Sequence, residues 1–178
     1  LLSLTDFPIT IITHKHYKLS SEIWSQLPLI NKTWILSCII QLKGSKTNTY
    51  RNLGLITNHC YGILNYQEIK TKLNSKGYRI ILLRNPHGNQ DYMGSFGDQD
   101  PIWNKDKELK EKALFNNKDE ASFFMDFNEY FQLFDHTFVS KHIENYESIY
   151  YKLSKKDSIK NYINKEDPSV KGNMYTNC

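Results

Sequence analysis

Two residues in this chain have the types and setting of a base and the group that orients it. His59 follows Gly54-Leu55-Ile56-Thr57-Asn58, and Asn85 lies in Arg84-Asn85-Pro86-His87-Gly88, 26 positions further on. An imidazole held by a side-chain amide can take a proton from a thiol and later return it to a leaving group, the division of labour in a Cys-His-Asn site. Such a site needs a nucleophilic Cys. The chain has Cys38, Cys60 and Cys178. Cys38 sits inside the apolar run Trp34-Ile35-Leu36-Ser37-Cys38-Ile39-Ile40 with nothing cationic beside it, which describes an inert core thiol. Cys60 adjoins His59, and neighbours on a strand point to opposite faces. Neither of these two cysteines is set up as that nucleophile, so a site of this kind would be incomplete in this chain alone.

Placing His59 beside Asn85 requires a hairpin. Tyr61-Gly62-Ile63-Leu64 reads as its first strand and residues 78–83 as its second, with a Gly-terminated turn at 74–77 and a polar, Lys-rich loop at 66–73. Pro86 and Gly88 stop the second strand. Other strands are expected around 9–12, 34–40, 122–125 and 136–143. Helices are expected at 20–33, capped by Ser20 or Ser21 and broken by Pro28, at 104–113, and at 126–134. Asp126 and Glu129 have capping-box spacing at the start of the last. Along 104–113, Asp106–Lys110 and Glu108–Lys112 are spaced as ion pairs on an exposed face. His14 and His16 bracket Lys15 in what reads as a solvated connection, and residues 43–52 read as a polar loop. These elements give an α+β fold: a mainly antiparallel sheet, sandwich or open barrel, with a few short helices.

Length allows one domain and perhaps a tail. Twelve Tyr and nine Phe are enough for a core, and the net charge of +4 is spread rather than clustered, which argues against nucleic acid as a partner. An odd Cys count without CxxC argues against a disulfide framework or a zinc site, and free thiols fit a reducing, cytoplasmic compartment. No apolar run approaches the roughly 20 residues that span a bilayer, so a membrane is not indicated. The chain opens Leu-Leu-Ser, without an initiator Met, so its true N-terminus is expected upstream. The composition turns polar near residue 144, dividing residues 1–143 from a linker or following domain at 144–178.

Taken together, the motifs resemble the protease core of calpains, in the second half that carries the His and the Asn. Gly54-Leu55-Ile56-Thr57-Asn58-His59-Cys60-Tyr61 resembles that family's G-L-V-x-G-H-A-Y, and Arg84-Asn85-Pro86-His87-Gly88 its R-N-P-W-G. Gly94-Ser95-Phe96-Gly97-Asp98 resembles G-A-W-S-D, and Pro101-Ile102-Trp103 the tryptophan segment after it. Ser122-Phe123-Phe124-Met125-Asp126-Phe127 resembles E-F-W-M-S-F, and Leu4-Thr5-Asp6-Phe7-Pro8 the L-T-G-x segment. The likeness runs over about residues 1–142. It implies a papain-like His/Asn subdomain of an intracellular cysteine endopeptidase acting on protein or peptide substrates. His59 would be the general base and Asn85 the orienting amide. The partner would be an upstream Cys-bearing half, because this chain has no Gln…Gly-Asp-Cys-Trp segment.

The resemblance also implies calcium. Aligned by the motifs, the second-half site falls on Asp91, Asp98 and Glu120 with a backbone carbonyl near Lys118, and Asp100 is a spare candidate. Carboxylates and carbonyls on glycine-bearing loops suit a hard cation. The chain departs from the family at His87, where the family has a Trp that shields the His–Asn pair, at Cys60 for Ala, and at Phe96 for Trp. A titratable ring at position 87 is expected to change the pH response of His59. The alternative reading is a catalytically inactive calpain-like module that binds calcium or a protein partner.

Overall fold

A computed structural model describes residues 9–28, 34–41, 47–88, 92–115 and 121–141. The expected domain boundary near residue 144 and the polar segment after it lie outside the described residues. Six strands form one antiparallel sheet: β1 (Ile9–Thr13), β2 (Trp34–Ile40), β3 (His59–Ile69), β4 (Tyr78–Arg84), β5 (Ser122–Asp126) and β6 (His136–Lys141), ordered β1-β6-β2-β3-β4-β5. Short helices connect them: α1 (Ser20–Trp24), α2 (Thr47–Asn52), α3 (Ile102–Lys105), α4 (Lys107–Lys112) and α5 (Phe127–Leu133). This is the expected α+β architecture.

Alternation along β4 and β5 explains why both strands are apolar throughout. Ile81, Leu83, Phe123 and Met125 join one core with Ile12, Ile23, Leu36, Cys38, Ile40, Tyr61 and Tyr130. Ile80 and Phe124 join a second core with Ile69, Phe96, Trp103 and Leu109. A sheet covered on both sides has no solvent face at these positions, and each such aliphatic side chain contributes about 1.5–3 kcal/mol by leaving water.

Several local expectations change. The strand β3 continues to Ile69 where a polar loop was expected at 66–73, with a bulge between Ile63 and Asn65. Its exposed Glu68 lies opposite Arg79 and pairs with it at 2.6 Å. Residues 47–52, expected as loop, form α2, because Tyr50 buries itself in the main core. The first helix stops at Trp24. Its cap is not a serine hydroxyl; the Glu22 carboxylate accepts the Lys18 and Leu19 N–H groups at 2.9 and 2.8 Å.

The expected helix at 104–113 divides at Asp106. That residue is not part of an exposed Asp106–Lys110 pair: it is 2% exposed, accepts from Leu109 N at 3.0 Å and holds the Thr71 hydroxyl at 2.6 Å. The Glu108–Lys112 pair does form, at 2.9 Å.

His14 is a larger correction. It is not solvated. It is 3% exposed in a 3-10 turn, with Nδ1 3.3 Å from the Phe131 carbonyl and Nε2 2.8 Å from the Thr137 hydroxyl. His16 stays at the surface, so the two do not share a face that could grip a metal.

Candidate active site

The hairpin closes as the sequence requires. Gly62 on β3 lies opposite Arg84 on β4, so the residue opening β3, His59, and the residue following β4, Asn85, emerge at the same end of the sheet. Asn85 is 2% exposed and held from every side. Its N–H donates to the Ala121 carbonyl at 2.8 Å, and its own carbonyl accepts from Gly88 N at 3.1 Å, closing a turn around Pro86 and His87. The side-chain oxygen accepts from His87 N at 3.0 Å, and Nδ2 donates to the Gly88 carbonyl at 3.4 Å. Asn can make this local loop and Pro presets φ inside it; Gly88 closes the turn at φ +70°. The short sequence Asn-Pro-His-Gly thus folds into a rigid mount for one amide.

His59 enters the site after a left-handed step at Asn58 (φ +55°), whose N–H donates to the Ile40 carbonyl at 2.7 Å. The imidazole lies between two rings: His87 at 4.3 Å between centroids, tilted 41°, and Tyr61 at 5.2 Å in a T-shaped contact. Nε2 is buried and has no partner of standard hydrogen-bond geometry among the described residues. The His59 pKa lies below the ordinary value, first because of desolvation and next because of the His87 charge, while the adjoining Asn85 amide acts in the opposite direction. A single acceptor oxygen has two lone pairs, so Asn85 Oδ1 can serve both His87 N and the His59 ring. Cys60 points to the other face and is exposed; Cys38 is wholly buried, with its thiol pKa pushed up by desolvation. Neither is presented to His59.

The segment after Asn85 is bolted to the site by a residue whose role the capping-box spacing misassigns. Asp126 does cap α5, accepting from Asn128 N and Glu129 N at 2.8 and 3.1 Å. Glu129 does not complete the box. Its carboxylate takes the Tyr92 hydroxyl, Ser95 N at 3.1 Å and the Ser95 hydroxyl at 2.5 Å, and Asp126 N donates instead to the Ser95 carbonyl at 3.2 Å. Met93 N donates to the Leu53 carbonyl at 3.1 Å, tying the same loop to the approach of His59. A Cβ on Gly94 would overlap the Tyr92 hydroxyl, and one on Gly97 would overlap the Tyr92 carbonyl, so both glycines are required by close approach.

A scan of known families matches this chain to the calpain family cysteine protease model over residues 2–141. The chain belongs to the calpain family. Among characterised calpains it is 33% identical to calpain-13 of Rattus norvegicus over 82 residues, 44% of this chain and 12% of that protein. It is 29% identical to calpain-9 of Homo sapiens and 27% to the calpain-2 catalytic subunit of Bos taurus, each over 105 residues and 57% of this chain. These alignments span 15% and 14% of the two relatives, so the chain corresponds to a small part of each calpain's length.

Of the expected calcium ligands, Asp98 alone is among the described residues. It is half-buried at the end of the loop that Glu129 holds. Asp91, Glu120 and Lys118 lie outside the described residues. Both carboxylate oxygens of Asp100, the spare candidate, are engaged by backbone donors: Oδ2 accepts from Phe96 N at 2.7 Å and Oδ1 from Ile102 N at 2.8 Å. Among the described residues no three His, Cys, Asp or Glu side chains cluster as a metal site.

The site's least family-like residue gives a direct test. The positive form of His87 opposes a charge on His59 at 4.3 Å between rings. His87→Trp removes that opposing charge while keeping a cover, so the His59 pKa is expected to rise. Imidazole NMR titration of both proteins measures it, and an unchanged His59 midpoint contradicts the coupling.

Proposed function

We propose that this chain supplies the base and orienting amide of a calcium-dependent cysteine endopeptidase, with the nucleophilic Cys on an upstream segment of a longer polypeptide. The observation that carries this reading is the hairpin that sets a buried Asn85 amide, anchored by hydrogen bonds at both its oxygen and its nitrogen, beside the His59 ring. In this mechanism His59 takes the thiol proton, giving a thiolate–imidazolium pair. The thiolate attacks the substrate carbonyl carbon, and His59 passes its proton to the leaving amine as the acyl-enzyme forms. His59 then takes a proton from water, which hydrolyses the acyl-enzyme and frees the thiol. Asn85 holds the ring in one orientation through these transfers. The test is peptide hydrolysis by the longer polypeptide with and without His59→Ala.

His87 favours a second reading. An exposed, titratable ring in the place of the family's Trp weakens the charged form of His59, which a module that only binds calcium or a protein would tolerate. That reading predicts no hydrolysis even with the Cys-bearing half present.

Calcium belongs to the same proposal. Asp98, with Asp91 and Glu120, would hold the ion through carboxylate oxygens, in keeping with its preference for several hard ligands. A ligand bound only by the folded state stabilises it by about 2.7 kcal/mol at 100 times its dissociation constant. Millimolar Ca²⁺ is thus expected to raise the melting temperature by several degrees, and Asp98→Ala to remove most of that shift. Equal melting curves with Ca²⁺ and with a chelator would exclude the site.

A further inference from the structure

We infer that Tyr61 is the positioning residue for His59, acting through a clasp on the turn that delivers the imidazole. This rests on the reading of His59 as the general base. Tyr61 sits two residues after His59 and therefore on the same face of β3. Its ring is 1% exposed and packs edge-on against His59, Phe123 and Phe134, with centroids 5.2, 6.2 and 5.4 Å away.

The hydroxyl does more than fill space. It accepts from Ile56 N at 2.7 Å and lies 3.3 Å from the Ile56 carbonyl, to which it donates. One O–H group thereby grips both ends of a single residue. Desolvation pushes the phenol pKa up to about 12, so the group stays neutral and keeps both roles. The gripped residue lies two positions before Asn58, whose left-handed backbone turns the chain into His59. The residue just before Ile56, Leu55, donates its N–H to the Tyr50 carbonyl at 2.8 Å. The approach to His59 is therefore fixed at residues 55, 56 and 58, and Tyr61 touches both the approach and the ring.

A misplaced base costs rate without costing substrate affinity, because its interactions are made in the transition state. Tyr61→Phe keeps the ring and deletes the clasp. In the longer polypeptide we expect kcat to fall about tenfold with KM unchanged. In the 178-residue chain the His59 NMR titration midpoint is expected to move toward the ordinary imidazole value as the turn loosens and water reaches the ring. Ile23→Val, a wholly buried change in the same core on α1, controls for lost stability: it should lower the melting temperature and leave the His59 titration in place. An unchanged His59 midpoint in folded Tyr61→Phe overturns the positioning role. Should His59→Ala leave hydrolysis intact, the general-base reading falls, while the effect of Tyr61 on the His59 titration stands or falls separately.

Discussion

His59→Ala in the longer polypeptide is expected to reduce kcat/KM on a peptide substrate by on the order of 10⁴-fold or more, with folding intact. The size follows from the two jobs the proposal gives to one ring. Without an imidazole the thiol keeps its ordinary pKa near 8.5, so little thiolate exists at neutral pH. Without the same ring no group protonates the leaving amine. His59 is partly exposed at the start of β3 and holds no core contact comparable to that of Tyr61, so its removal should leave the sheet standing. Peptide hydrolysis and the melting curve of the same variant separate chemistry from stability. A variant that melts like the parent and cleaves at the parental rate removes His59 from the mechanism.

The second large effect concerns stability, and its source is the buried imidazole of His14. His14 lies at the turn between β1 and α1, and its pKa is lowered to about 4, chiefly by desolvation, with the Phe131 and Phe134 carbonyls acting against the shift and the His136 charge adding to it. The neutral tautomer fits the surroundings: Nδ1–H donates to the Phe131 carbonyl and Nε2 accepts from the Thr137 hydroxyl, which also meets the Tyr130 hydroxyl at 2.6 Å. The unfolded chain binds this proton near pH 6.5 and the folded chain only near 4. Between those values the unfolded state holds more protons, so stability rises with pH. The contribution is complete above about pH 6.5 and is lost as the pH falls toward 4, in all about 3 kcal/mol at 1.36 kcal/mol per unit. His14→Gln keeps a neutral donor and acceptor and removes the titration. Urea unfolding at pH 7 and pH 4.5 should show a drop in stability for the parent that exceeds the variant's by most of that amount. Parallel drops would mean that His14 does not titrate in this range.

The sequence makes legible what local chemistry decides. Asn85-Pro86-His87-Gly88 carries its turn in its own residue types, and the apolar runs at 34–40, 78–83 and 122–125 can only be strands or core. His59 and Asn85 could therefore be paired before any coordinates. What stays hidden is decided by contacts distant in sequence. The polar stretch after Leu64 is a strand because Glu68 meets Arg79 across the hairpin. Glu129 has the spacing of a capping box, but Tyr92 and Ser95, 37 and 34 positions away, take its carboxylate. His14 looks like a surface residue beside Lys15 and becomes core because Thr137 and Phe131 close over it. The role of Tyr61 had one available signal, the period of two that puts it on the face of His59.

The account turns on whether His59 pairs with a thiolate, and alkylation of that thiol reads the pair directly. The longer polypeptide is treated with iodoacetamide across pH 4 to 10, and the rate at the Cys that the proposal places upstream is followed by mass spectrometry. A His59–thiolate pair gives a reactive plateau well below pH 8.5, and His59→Ala abolishes the plateau and leaves a single rise near 8.5. Identical profiles for the two proteins, both rising only near 8.5, would contradict it.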